Sequence, residues 1–293
     1  YNRQQLTLER EEEWGLKTTL SLRTEENEAA GSLFFEKLSN FFPPIIFPDT
    51  DVSSLLHNGK IRTTELLFEL EIAPGRTFIN TKQRRIAINL EAPVITLSHA
   101  VGLNGVLGGQ YRYNFSEVGL LKRFWLRSWG KFDVQLRAGA QWDKVPFPLL
   151  IMPAANLSYI VQKGSFNLIN NMEFLNDRYA SVDLAWDMNG KIFNRIPLLK
   201  KLKWREYIGF KSLWGSLTDK NNPFLFQNMG DATLMYFPEG SHVMNPKRPY
   251  MELILGVHNI FKLFHVQYVR RLNYNELPTA HKQGVRLMMR MSF

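Results

Sequence analysis

The stretch GVRLMMRMSF, residues 284–293, decides the fold class of this 293-residue chain. Side chains of an extended strand point alternately to two faces, so this stretch has one apolar face and one mostly charged face. The apolar face holds Val285, Leu287, Met289, Met291 and Phe293. A soluble sheet covers such a face with a second layer, and no element follows here to supply one. We therefore expect lipid to cover it.

A strand in lipid must pair all its backbone groups, which forces closure into a barrel, and needs about 9 to 11 tilted residues. The ten residues quoted above fit that length. The stretch also resembles the insertion signal at the C-terminus of bacterial outer-membrane barrels. The matching positions are Lys282, Gly284, Leu287, Met289 and Phe293. A sandwich or lipocalin strand that happens to end in phenylalanine is the alternative interpretation of this strand alone.

Other strands repeat the same alternation and decide between the two. Residues 131–143 place apolar side chains on one face and polar ones on the other without interruption. Such a length exceeds the usual soluble strand of about 5 to 6 residues and is typical of tilted barrel strands. Segments 16–23, 64–72, 180–188, 251–258 and 264–268 show the same period, and the seven tryptophans lie mostly near predicted strand ends. The sequence predicts an all-β, transmembrane antiparallel barrel of about 12 strands, or more if strands lie upstream.

We expect residues 1–293 to form a single outer-membrane β-barrel domain with long loops at 32–60 and 144–178. The Pro74-Gly75 turn predicts a hairpin between 64–72 and 76–90, whereas 93–98 and 110–115 read as the next pair. The acidic run 24–31 is predicted to be a solvated turn.

Composition excludes several functional classes. The chain carries 36 Lys and Arg against 27 Asp and Glu, but the basic residues are dispersed and no nucleic-acid-binding module is present. It has no cysteine, and no run of 18 apolar residues marks a spanning helix. The sequence opens on Tyr1 without a signal peptide, so we expect a mature or partial chain.

Catalytic signals are weak. Among six histidines, His258 and His265 lie on adjacent predicted strands with Glu252 expected nearby, and an inward-facing polar network explains them better than catalysis or metal binding. Neither a Gly-x-Ser-x-Gly elbow nor a His-Glu-x-x-His motif occurs. We expect no enzymatic activity and no cofactor.

About half of the chain carries a series of distinctive segments in order. They are 145–150, 153–156, 166–168, 172–174, 177–180, 194–203, 205–206, 213–217 and 219–221, and the series continues through Gly256, Asn259 and 270–272 to Phe293. These segments resemble a Bacteroidetes outer-membrane family of unassigned function, whose members typically carry a carboxypeptidase-regulatory-like domain ahead of a C-terminal barrel. The resemblance implies a barrel but no reaction, and the regulatory-like domain is absent from this sequence. Within the similar region, Glu173, Asp177 and Arg178 form a charged cluster, either a structural ion pair or a gate or partner contact.

These observations favour a passage or uptake component of the bacterial outer membrane with an unknown substrate. The alternative is a structural or assembly subunit of a larger export or insertion complex, and an envelope enzyme ranks third. The expected partners are outer-membrane lipids, the barrel-insertion machinery and other outer-membrane or periplasmic proteins, but not nucleic acid.

Overall fold

The computed structural model describes residues 1–31, 33–38, 59–81 and 85–290. Within them, eleven strands form one antiparallel sheet, and two further strands form a separate hairpin. The sheet strands are β1 (Asn2–Glu11), β2 (Leu16–Glu28), β3 (Lys60–Ile72), β6 (Val94–Gly102), β7 (Tyr113–Trp125), β8 (Lys131–Gln141), β9 (Arg178–Asp187), β10 (Arg205–Ser216), β11 (Tyr250–Ile260), β12 (Phe264–Arg271) and β13 (Gln283–Met289). The hairpin pairs β4 (Phe78–Asn80) with β5 (Arg85–Ala87). The prediction of an all-β fold with about 12 antiparallel strands is confirmed.

The sheet has one polar and one apolar face, as the period of two predicts. Along β8, charged and amide side chains point inward, while Phe132, Val134 and Leu136 point outward. Leu136 is 37% exposed and Leu287 is 49% exposed, and Leu184 and Leu253 on the same outer face are partly exposed. The outer apolar face therefore has no second protein layer over these positions, and a sandwich is excluded there.

Because successive strands are antiparallel neighbours, their connections alternate between two ends of the sheet. The turn end carries the connections at 12–15, 126–130, 188–204 and 261–263 and the described residues between β3 and β6. The loop end carries the connections at 103–112, 142–177, 217–249 and 272–282 and the described residues between β2 and β3. The helix α1 (Pro197–Leu202) lies in a turn-end connection. In the described part of the chain, no helix has the length and apolarity needed to cross a membrane.

Two sequence expectations about pairing had different outcomes. The predicted pair 93–98 with 110–115 is confirmed as the longer pair β6 and β7. The predicted hairpin of 64–72 with 76–90 is wrong, because β3 pairs with β2 and β6 instead, with Ile72 opposite Ile95. The residues between fold back on themselves as β4 and β5. The strand β3 therefore pairs with the long alternating strand β6 and not with the nearer segment, whose alternation is interrupted.

The predicted acidic turn at 24–31 is also wrong over its first half, since β2 continues to Glu28. Lys60 Nζ lies 3.4 Å from the carboxylate of Glu28, so a cross-strand cation balances the acidic strand end. Of the predicted loop at 32–60, residue 32 and residues 39–58 lie outside the described residues. Between β8 and β9, residues 142–177 contain no strand, only short bridges and a 3₁₀ turn.

Most of the large buried apolar residues lie near the loop end, where residues 142–177, called the inner loop below, pack against the inner face of the sheet. Phe174 of the inner loop contacts Tyr274 and Tyr250, with ring centroids 5.2 and 6.1 Å apart. Phe166 meets Tyr250 edge-on at 5.6 Å. Such aromatic contacts stabilise the inner loop beyond the burial of area alone. The core is thus built between a loop and a sheet face.

Candidate functional site

Charged side chains on the inner face hold the backbone of the inner loop. Glu252 on β11 is fully buried and accepts hydrogen bonds from the Asn167 amide at 3.0 and 3.1 Å and from its side-chain Nδ2 at 2.8 Å. Lys211 on β10 donates to the Ser165 carbonyl oxygen at 2.6 Å and lies 3.2 Å from Asp183. A buried charge is tolerated when it is paired or hydrogen-bonded, which both groups are.

Arg271 on β12 forms the most deeply buried of these contacts. Its Nη2 lies 2.6 Å from Glu173 Oε1, and both side chains are fully buried. Its other nitrogens donate to the carbonyl oxygens of Leu168 and Asn273 at 3.2 and 3.0 Å. The guanidinium also lies 4.9 Å from the ring centroid of Tyr250. The inner loop is therefore fixed to the sheet by a satisfied buried ion pair.

The three predicted charged residues of this region do not form one cluster. Glu173 pairs with Arg271, as described above. Asp177 is buried and accepts hydrogen bonds from the Thr218 backbone amide and from Asn221 Nδ2, each at 3.0 Å, and from the Thr218 hydroxyl. Arg178 begins β9 and is exposed. The acidic residues thus contact other parts of the same chain, while Arg178 is accessible at the loop end.

The residues of the predicted C-terminal signal lie on and beside β13. Lys282 precedes the strand, and Leu287 and Met289 point outward with Met289 71% exposed. Phe293 lies outside the described residues. The outer edge of β13 is partly paired: the Leu287 amide donates to the Tyr159 carbonyl oxygen at 2.7 Å, and the Val161 amide donates to the Leu287 carbonyl oxygen at 2.8 Å. No sequence pattern indicated this contact between the inner loop and the sheet edge.

The histidine pair lies on the inner face near the turn end. The rings of His258 and His265 are 4.6 Å apart between centroids, and His258 stacks on Tyr207 at 4.5 Å. The expectation that Glu252 lies beside them is wrong, because Glu252 lies six positions before His258 on β11, about 20 Å along the strand. Within the described ranges, no three potential ligands form a metal-binding group.

Two cavities lie along the inner face. The loop-end cavity, of about 180 Å³, is lined by Glu117, Tyr179 and Leu213 among others. The turn-end cavity, of about 460 Å³, is lined by residues that include Lys131, Asp187 and Arg290. The cavities share Gln135, Gly164, Asp183 and Lys211. Since Gly164 belongs to the inner loop and Lys211 holds its backbone, the inner loop separates the two cavities.

The connections at the loop end are tied to each other as well. Lys144, near the start of the inner loop, lies 2.7 Å from Asp231 in the 217–249 connection. Burial alone would raise the pKa of Asp231, but hydrogen bonds from Lys144 and from the backbone amides of Thr233 and Leu234 hold it below its ordinary value. The carboxylate therefore stays charged at neutral pH and joins two loops.

A long antiparallel sheet with an apolar outer face, a polar inner face and a loop folded against that inner face defines an outer-membrane β-barrel-like protein. Residues 14–224 match the family described as "Family of unknown function (DUF5686) C-terminal domain". The chain belongs to this family, as the similarity of its central segments led us to expect for an outer-membrane family without an assigned function.

A solved structure supports the fold. The chain is similar to BamA from Haemophilus ducreyi lacking POTRA domains 1–3, with a TM-score of 0.52 and 12% sequence identity. The similarity covers 97% of this chain and 53% of that one, so this chain spans about half the length of its structural relative. No curated protein matches the sequence. At this identity the likeness establishes the barrel fold and no activity.

Proposed function

We propose that this chain is an integral β-barrel of the bacterial outer membrane, in the Bacteroidetes type of envelope, and that a regulatory-like domain precedes it in the complete protein. The outer face of β8 supports the membrane location. Phe132 on that face and Trp142, the residue directly after the strand, are ten positions apart. At a rise of about 3.3 Å per residue and a tilt of about 40°, they delimit a band about 25 Å tall, the height of the apolar belt of such barrels.

Aromatic residues at both ends of the strands support the same placement. Trp129 and Trp186 meet near the turn end with ring centroids 6.0 Å apart. Trp142 and Trp214 are 53% and 40% exposed near the loop end. Tryptophan is enriched at the two interfaces of a bilayer. Since such barrels have short periplasmic turns and longer external loops, the turn end faces the periplasm in this proposal.

Within the membrane, the proposed function is the passage or uptake of a solute through the lumen. The observation that carries it is the pair of cavities, which follow one another along the inner face of β9 and are separated by the inner loop. Opening a path between them requires that the loop segment around Gly164 moves away from Lys211. A loop that covers a passage is a common gating element.

Shortening the inner loop tests this function. The Asn156 amide donates to the Phe166 carbonyl oxygen at 2.8 Å, so the chain is already close together on both sides of residues 157–164. Replacing 157–164 by a short Gly-Ser linker should turn small or brief single-channel events in planar bilayers into a larger, steady conductance. The control replaces residues 106–108, in a connection that lies away from the cavities. A purified barrel that stays silent with and without the excision would contradict passage.

A second proposed function, a structural or assembly subunit of an outer-membrane complex, is favoured by β1. All ten residues of β1 are exposed, and only β2 pairs with it among the described strands. An unpaired strand edge is a template for another strand. Mild detergent extraction at native expression should then yield stoichiometric outer-membrane or periplasmic partners, including barrel-insertion components. Recovery of the chain alone would count against this role.

The proposed role is non-enzymatic and needs no cofactor or nucleic acid. The contacts of His258 and His265 support this, because they are to each other, to Tyr207, to Gln267 and to a backbone carbonyl. A hydrolase activity that disappears on changing His258 or His265 to Ala would contradict it.

A further inference from the structure

The turn-end cavity has an excess of positive charge. Six cationic side chains and three carboxylates line it. Two of the carboxylates are neutralised locally: Asp133 forms two hydrogen bonds with Arg123, at 2.6 and 2.7 Å, and Asp183 pairs with Lys211 at 3.2 Å. The third, Asp187, lies opposite Lys131 in the strand register without reaching ion-pair distance.

Three of the cations have no ion-pair partner among the residues that the structure describes. They are Lys131 on β8, Lys163 on the inner loop and Arg290 just beyond β13. They come from three separate parts of the chain and meet at one cavity. Concentrating unpaired cations in a concave site raises the local concentration of anions. Such side chains are also the usual lining of pores that select anions or phosphate.

His258 provides an independent indication of a missing acceptor. It lines the cavity and is only 4% exposed. The Gln267 side-chain nitrogen lies 3.0 Å from His258 Nε2. With the Gln267 amide oriented so that its nitrogen faces the ring, His258 Nε2 accepts, and the proton of the neutral ring resides on Nδ1. That Nδ1 is buried and has no hydrogen-bond partner. A buried donor without an acceptor is costly unless a ligand satisfies it.

We propose that the turn-end cavity is a binding site for a small oxyanion-bearing solute of the phosphate class. The volume of about 460 Å³ falls within the range of small-molecule sites, about 300 to 1,000 Å³. Lys131, Lys163 and Arg290 supply the positive charge, and the His258 Nδ1–H supplies a directional donor. The inner loop closes the site on the loop-end side, so the solute enters from the turn end.

Isothermal titration calorimetry tests the site: inorganic phosphate and pyrophosphate are titrated into the purified full chain in an uncharged detergent, and their binding affinity is measured. Lys131→Gln and Arg290→Gln should each weaken binding about tenfold to a hundredfold, because each removes a charge-assisted hydrogen bond. His258→Phe keeps an aromatic ring beside Tyr207, removes the Nδ1 donor and should weaken binding several-fold. The matched control is Lys247→Gln, which removes the same charge from an exposed loop-end position.

Heat-modifiable migration on gels verifies that each variant is folded. The proposal is overturned if the folded wild-type chain binds neither probe at millimolar concentration, or if Lys247→Gln weakens binding as much as Lys131→Gln does. A parallel titration with short-chain phosphatidylglycerol against phosphatidylcholine distinguishes a lipid headgroup from a free oxyanion as the source of the group.

This site does not depend on passage through the barrel. Phosphate binding by a chain that is silent in bilayers would refute the passage function and leave the binding site intact. Conductance by a chain that binds neither probe would refute the binding site and support the passage function.

Discussion

Removing Arg271 should release the inner loop while the sheet stays folded. In Arg271→Met the aliphatic stem is largely retained, but the Glu173 carboxylate stays fully buried without its partner at 2.6 Å. Breaking a buried ion pair from one side costs about 3 to 5 kcal/mol. The carbonyl oxygens of Leu168 and Asn273 also lose a donor. The free energy needed to open the inner loop should therefore fall by about 3 to 5 kcal/mol.

Hydrogen exchange measured by mass spectrometry on the detergent-solubilised barrel can detect this change. Since about 1.4 kcal/mol corresponds to a factor of ten, amides in residues 165–175 should exchange about a hundred to a few thousand times faster. Adding Glu173→Gln to Arg271→Met should recover part of the protection, because the buried charge is gone. Arg10→Met removes an exposed arginine paired with Glu12 near the turn end and is the control, with no expected change in this segment. Unchanged exchange in residues 165–175 of folded Arg271→Met would refute the reasoning.

Three further predictions test the outer face, the rim and a turn. Leu136→Arg should lower the free energy of unfolding by about 2 to 4 kcal/mol in urea titrations with lipid vesicles. The control is Gln135→Arg, at the neighbouring position that points inward, which should cost much less. Equal costs would contradict a lipid-facing position for Leu136. The pKa of Asp231 is lowered in the folded chain. Its ionised carboxylate therefore stabilises the fold above the ordinary pKa of 3.8, and this stabilisation is lost as the pH falls below 3.8 through the lower pKa of the folded chain. Asp231→Asn should lower the Tm at neutral pH, by an amount worth at most about 1 kcal/mol, and should leave it unchanged in acid; a Tm difference that does not vary with pH would contradict the ion pair. Gly130→Ala would place a Cβ 2.0 Å from the Asp187 carbonyl oxygen, whereas Gly75→Ala meets nothing within 4 Å. Both glycines have positive φ, so both variants lose about 1 kcal/mol, and only Gly130→Ala should lose clearly more in the same urea titration.

The facing of each strand could be predicted from the sequence, because a period of two depends only on local backbone geometry. Leu136 and Leu287 lie on the outer face as expected. Which strands lie next to each other was harder to predict from the sequence than which way their side chains face. The strand β3 pairs with β6 and not with the segment after Pro74-Gly75. The nearer segment is interrupted, and the competition between two partners is decided by pairings that are distant in sequence.

The candidate site could be predicted only in part. The proximity of His258 and His265 was predicted, since adjacent strands bring such residues together. The position of Glu252 was misjudged, although six positions on one strand already place it about 20 Å from His258. Its actual partner, Asn167, depends on how the inner loop folds against the sheet. The partner of Glu173 was likewise hidden: Arg271 is 98 residues away in sequence. No local sequence pattern indicates which residue of a folded loop will contact a given strand residue so far away in the chain.

By itself, the sequence determined the class of the fold and the chemical character of the two sheet faces, because side-chain alternation and the cost of unpaired backbone in lipid are local constraints. Only the tertiary structure decided that residues 142–177 fold against the inner face, separate two cavities and bring Lys131, Lys163 and Arg290 to one of them. Those contacts join residues far apart in the chain, and their energies depend on burial and ion pairing that no local pattern encodes.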